Sequence, residues 1–136
     1  MLVDVRDRPL SVDECLDAVR DPAAGGVALF VGVVRDDDGG RRVRGLEYSG
    51  HPSAPAALRR VAAAVAGAFP VRGLAVVHRV GPLAVGELAV VVAVSCPHRA
   101  EAFAACRRLV DDVKEQVPIW KRQVFAAGAA EWVGSP

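Results

Sequence analysis

Apolar and charged side chains alternate from Leu2 to Asp7, and a period of two predicts an edge strand with one buried face. Ser11-Val12-Asp13-Glu14 then has the form of a capping box, in which a serine hydroxyl and a glutamate carboxylate satisfy the first free amides of a helix. Leu16 and Val19 continue that helix's apolar face, and Asp21-Pro22 ends it. Gly26 to Val34 is a continuous apolar run rich in valine, with glycines before it and an acidic turn after it, and it predicts a central strand. Asp36-Asp37-Asp38-Gly39-Gly40 leads into a second alternating stretch, Val43 to Tyr48, so the two strands are expected to pair as a hairpin.

Pro52 or Pro55 opens an alanine-rich helix that runs to about Phe69-Pro70. Leu74 to Val80 and the strongly β-branched Leu88 to Ser95 flank the turn residues Gly81-Pro82 and Gly86, which predicts antiparallel pairing of these two strands. The longest helix runs from Pro97 or His98 to Val117. Its apolar residues Ala102, Phe103, Cys106, Leu109, Val110, Val113 and Val117 recur at steps of three and four and form one stripe that is expected to pack on the sheet. Pro118 stops it, because the residue before a proline is pushed out of the helical region and proline lacks an amide proton. Ile119 to Phe125 and Glu131 to Val133 read as short closing strands with a glycine-containing connection. No repeat or linker divides residues 1–136, so one α+β domain is expected.

A domain of 136 residues buries roughly two-thirds of its unfolded surface, so a core forms without staples. No apolar run is long enough to cross a bilayer, and the N-terminus carries acids where a signal peptide needs a basic patch. A cytoplasmic protein with no membrane partner is expected. Cys15, Cys96 and Cys106 are odd in number and form no C-x-x-C pair, which argues against a disulfide framework or a zinc knuckle and suits a reducing compartment. The net charge of +1, with no dense basic tract, gives no field that would draw in nucleic acid. Any anion must be caught locally.

Of seventeen basic residues only Lys114 and Lys121 are lysine, one on each side of Pro118-Ile119-Trp120. Codon bias and chance account for such scarcity as readily as function does. The functional reading is that a lysine amine can be tuned to give up its proton, which guanidinium cannot. Lys114 borders the apolar stripe on the last helical turn, where its amine can sit partly buried, and a chain reversal at Pro118 would bring both amines to one pocket. At the other end of that helix, Ser95-Cys96-Pro97-His98-Arg99 combines free amides with a histidine and an arginine. That is either an anion site or a solvated helix end. Arg35 stands at a strand exit, where rigid sheets present binding groups, with Phe30 five residues earlier. Taken alone, Phe30 is core and Arg35 a loop charge. His78, among valines, reads as structural, and the three aspartates read as a solvated loop because the ligand spacing of a calcium loop is absent. No metal site and no cofactor is expected.

Taken in order, Phe30-Val31-Gly32-Val33-Val34-Arg35, Val77-His78-Arg79-Val80-Gly81, Val85-Gly86-Glu87, Pro97-His98-Arg99-Ala100-Glu101-Ala102-Phe103 and Lys114-Glu115-Gln116-Val117-Pro118-Ile119-Trp120-Lys121 resemble the large, catalytic subunit of molybdopterin synthase. The resemblance spans roughly Val27 to Trp132. It implies an α/β-hammerhead arrangement, with a small β subdomain beside a mixed, mostly antiparallel sheet packed by helices. It also implies a sulfurtransferase that inserts sulfur into cyclic pyranopterin monophosphate, forming the dithiolene of molybdopterin. The implied sulfur donor is a small ubiquitin-like carrier subunit with a C-terminal Gly-Gly thiocarboxylate. The implied assembly is a homodimer within a heterotetramer, its pocket drawing on both large subunits. Lys114 and Lys121 match the family's catalytic lysines, while Arg35, His98, Arg99 and Phe30 match its substrate-binding groups. Gln123, where the family often has glutamate, and the short tail Gly134-Ser135-Pro136 depart from the pattern.

Two rivals come from other classes. One is a non-catalytic module that binds a ubiquitin-like tail or a pterin without transforming it. The other is a hydrolase with Cys96 as nucleophile and His98 as its base.

Overall fold

The computed structural model describes residues 1–126 and 130–133. Strand β1 (Leu2–Arg6) is followed by helix α1 (Val12–Ala18), β2 (Gly26–Val33), the short β3 (Asp37–Asp38), β4 (Arg41–Gly50) and α2 (Ala54–Ala68). Then come β5 (Gly73–Arg79), β6 (Gly81–Ala84), β7 (Leu88–Cys96), α3 (Arg99–Gln116), β8 (Ile119–Phe125) and β9 (Ala130–Val133). The fold is α+β, with two sheets. One is four-stranded and mixed, in the order β1-β5-β7-β2, with β1 parallel to β5 and the other neighbours antiparallel. The second runs β3-β4-β8-β9, with β6 also paired to β4. The connection 127–129 and the tail 134–136 lie outside the described residues.

Local chemistry sets the element ends. Ser11 Oγ accepts from the Glu14 amide at 3.1 Å, which is one half of the expected capping box. The Glu14 carboxylate turns instead to the Arg6 guanidinium, 3.0 Å from Nη2, and so ties α1 to β1. Pro55 stands in the first turn of α2, where its missing amide proton costs nothing. Val117 is extended, with φ −93° and ψ 123°, as Pro118 requires. The Pro118 carbonyl accepts from the His51 amide at 3.0 Å, which anchors the start of β8 against the end of β4.

Helices α2 and α3 cover one face of the mixed sheet, where Leu58, Leu74, Leu109 and Ile119 are fully buried. Each such side chain stabilises the fold by about 1.5–3 kcal/mol through apolar burial. Helix α1 covers the other face with Cys15 and Val19 over Ala75, Val77, Val91 and Ala93. Because β7 is buried on both faces, its sequence shows no alternation.

Two expectations need correction. Gly26 to Val34 is not a central strand: β2 lies at the sheet's edge, with Val27, Leu29 and Val33 exposed where α1, which packs over β5 and β7, does not reach. Nor does it form a hairpin with Val43 to Tyr48. Strand β2 pairs antiparallel with β7, while β4 pairs with β3, β6 and β8 in the other sheet. An apolar run marks a strand, but backbone pairing is indifferent to sequence, and the two runs found different partners.

Candidate active site

A cavity of about 450 Å³ opens where the two sheets and the C-terminal turns of α3 meet. Its floor is one row of the mixed sheet. Gly32 on β2 stands opposite Val90 on β7, and Val90 stands opposite His78 on β5. Phe30 and Val92 form the next row of the same face, two residues along. A Cβ on Gly32 would lie 2.7 Å from Val90 Cγ1, so glycine is what keeps this end of the floor open. Val110, Val113 and Lys114 line it from α3, and Tyr48 and Lys121, which face each other across β4 and β8, line it from the second sheet. Arg35 closes the rim just after β2.

Four of the six side chains expected from the sequence therefore meet in one place: Phe30, Arg35, Lys114 and Lys121. The proline break performs the reversal expected of it, returning the chain along β8 so that Lys121 faces the last turn of α3. Lys114 is more exposed than its position on the stripe suggested. It stands at the rim, where its charge also complements the carbonyl end of the helix. Lys121 is half-buried, and burial pushes its pKa below the ordinary lysine value. The positive charges of Arg35 and Lys114 push in the same direction, while Asp38 opposes them. The aspartate turn is thus not wholly a solvated loop, because one of its carboxylates reaches the lysine electrostatically.

His98 and Arg99 are exposed at the far end of α3, about 24 Å from Lys114 along the helix by its rise per residue. This chain alone does not bring them to the cavity. Cys96 is fully buried and its thiol is pushed up by that burial, the opposite of what a nucleophile needs. Among the described residues no group of three or more metal-binding side chains is gathered.

Two lining residues escaped the sequence reading. Tyr48 reads as one more apolar position of an alternating strand. His78, expected to be structural, is 2% exposed yet lines the cavity, edge-on to the Tyr48 ring. Its Nδ1 lies 2.7 Å from the Arg79 carbonyl oxygen, which can only accept, so Nδ1 carries the proton. Burial pushes its pKa down to about 4, and the ring is neutral at physiological pH. The available signal was the register of three strands, which no single strand contains.

A family model described as MoaE protein matches residues 5–116. Over 132 residues the chain is 46% identical to molybdopterin synthase catalytic subunit 1 of Mycobacterium tuberculosis, covering 94% of this chain and 87% of that one. It is 42% identical over 129 residues to the molybdopterin synthase catalytic subunit of a Nostoc species, covering 92% of this chain and 77% of the relative. The crystal structure of molybdopterin synthase from Staphylococcus aureus superposes with a TM-score of 0.91 at 30% identity, over 97% of this chain and 96% of that one.

Proposed function

This chain belongs to the MoaE protein family, and from that membership we infer that it is the catalytic subunit of a molybdopterin synthase, converting cyclic pyranopterin monophosphate to molybdopterin. The observation that carries the mechanism is the convergence of Arg35, Lys114 and Lys121 on a single cavity beside Phe30. Three cations around a concave site suit a ligand that brings a phosphate and a reaction that develops negative charge.

The sulfur comes from a small ubiquitin-like carrier whose C-terminal Gly-Gly thiocarboxylate reaches the rim. There the exposed Lys114 orients and polarises it. As the carbon–sulfur bond forms at the precursor's side chain, the carbon–oxygen bond breaks, and Lys121 helps protonate the departing oxygen. Partial burial suits Lys121 to this step, because an amine with a lowered pKa surrenders its proton more readily than a surface lysine. Water then frees the carrier as a carboxylate, leaving one sulfur on the pterin, and a second thiocarboxylated carrier repeats the exchange at the neighbouring carbon to supply the other sulfur of the dithiolene.

The working assembly in this reading is a homodimer of catalytic subunits with a carrier at each end. Supporting it is the exposed apolar edge of β2 beside Phe103 of α3, which is 67% exposed. Cys106 lies midway between His98 and Lys114 on α3. A two-fold axis near it would carry His98 and Arg99 of one chain toward Lys114 of the other, completing the anion site. Among the described residues no helix is long and apolar enough to cross a membrane, and the free cysteines suit a reducing compartment, so the cytoplasm is the proposed location.

The test is reconstitution. Purified chain, thiocarboxylated carrier and cyclic precursor should yield molybdopterin by mass detection, and Lys114→Ala should abolish most of it. Tight carrier binding without product, both lysines intact, would establish a binding module instead.

A further inference from the structure

The cavity is cationic at its rim and neutral at its floor. Arg35, Lys114 and Lys121 are half-buried or exposed, whereas His78 is sealed from solvent except where it faces the cavity. The Arg79 carbonyl holds the Nδ1 proton at 2.7 Å, which leaves Nε2 as a bare lone pair. No described residue donates to that nitrogen, and the neighbouring Tyr48 meets the imidazole edge to face rather than through a hydrogen bond. A neutral acceptor on a residue that lines the cavity, with no protein donor, is available to a donor on a bound ligand.

We propose that His78 Nε2 accepts a hydrogen bond from a ring N–H or hydroxyl of the pterin precursor and thereby decides which end of the ligand enters the cavity first. The inference rests on the precursor reading above and adds a residue to it. A lone pair repels phosphate, so the anionic end of the ligand is turned outward to Arg35 and the lysines, while the donor-bearing heterocycle lies on the floor. Electrostatics and hydrogen bonding thus read the two ends of one molecule separately. A site built to pair a ligand donor discriminates strongly against ligands that lack it. Neutrality of the ring is what keeps Nε2 an acceptor, and its lowered pKa preserves that state through the physiological range.

Nitrogen NMR of the imidazole in the wild-type chain provides a test that needs no variant. Addition of the cyclic precursor, without carrier, should move the Nε2 resonance upfield as it accepts a hydrogen bond, and leave Nδ1 near its starting position. In the assembled enzyme with saturating carrier, His78→Phe should raise the KM for precursor by roughly tenfold with kcat and carrier affinity little changed. His78→Gln, which returns an acceptor near the Nε2 position, should recover most of that loss. An unmoved Nε2 signal at saturating precursor overturns the proposal, and so does an unchanged KM in a folded His78→Phe enzyme. Wild-type turnover with an unmoved signal means this inference alone fails. A moved signal without any product means the sulfur-transfer reading fails and the contact stands.

Discussion

His78 of the mixed sheet meets Tyr48 of the second sheet edge-on, ring centroids 5.0 Å apart and planes at 86°. The contact joins the two sheets at the floor of the cavity, and it is made by an imidazole that cannot be charged there without heavy cost. Folded, His78 holds its proton only below about pH 4, whereas unfolded it takes one near the ordinary value of 6.5. The unfolded state therefore binds more protons between these values, and stability falls as pH drops through that window. The groups that share the cavity with it are Tyr48, Arg35, Lys114 and Lys121, none of them an acid that would hold the imidazolium. Urea titrations at pH 7 and pH 4.5 should show a loss on the order of 2–3 kcal/mol from this group, absent in His78→Gln.

Lys114→Ala and Lys121→Ala should each lower kcat by about 10²- to 10⁴-fold if they move protons or steady charge in the reaction. Lys121→Arg should fail to restore the rate, because arginine keeps the charge but does not release a proton. Single-turnover measurement of product with pre-bound carrier separates this from weakened association.

In the proposed mechanism Arg35 binds the ligand, and its charge also reaches Lys121. Arg35→Gln should raise the KM for precursor by roughly 10- to 100-fold, the worth of a hydrogen bond to a charged group. Its positive charge also lowers the Lys121 pKa, so removing it lets that pKa rise. A rate that requires the protonated amine falls as pH rises through this pKa, and the alkaline limb of the kcat profile should move to higher pH in Arg35→Gln. A limb that stays in place would mean another group controls it.

A composite site predicts rescue by mixing. Lys114→Ala and Arg99→Ala chains, each inactive alone, should regain activity when unfolded and refolded together. Random pairing of subunits gives intact sites in about a quarter of positions. Leu29→Glu, placed on the exposed edge of β2, should abolish the rescue and yield monomers by sedimentation.

Gly73 opens β5 directly under the end of α1, and a Cβ there would stand 2.6 Å from the Cα of Val19. Backbone cannot rotate aside as a side chain can. Gly73→Ala should cost roughly 1–3 kcal/mol in denaturant unfolding. Gly67→Ala, which meets open space within α2, should be neutral or stabilising by up to about 1 kcal/mol.

Lys114 and Lys121 stood out in the sequence through scarcity and the proline break, and Phe30 and Arg35 through the strand that carries them. Tyr48 and His78 did not, although they form as much of the cavity. Each lies in a strand whose period says only that the residue faces one side. Whether that side meets a helix, a second sheet or an open space depends on strands distant in the chain. His98 and Arg99 mark the opposite limit: they were legible as an anion site at a helix start, but one chain keeps them a helix-length from the lysines.

Most elements and their ends are local properties of the chain, because alternation, helical stripes, the Ser11 cap and the stop at Pro118 act over a few residues. Tertiary structure alone decided that β2 would join β7 at a sheet edge rather than β4 in a hairpin, and that Gly32, Val90 and His78 would form one floor. Strand pairing uses the same backbone groups at every position. Partners are chosen by how whole faces bury together, and that is a property of the assembled fold.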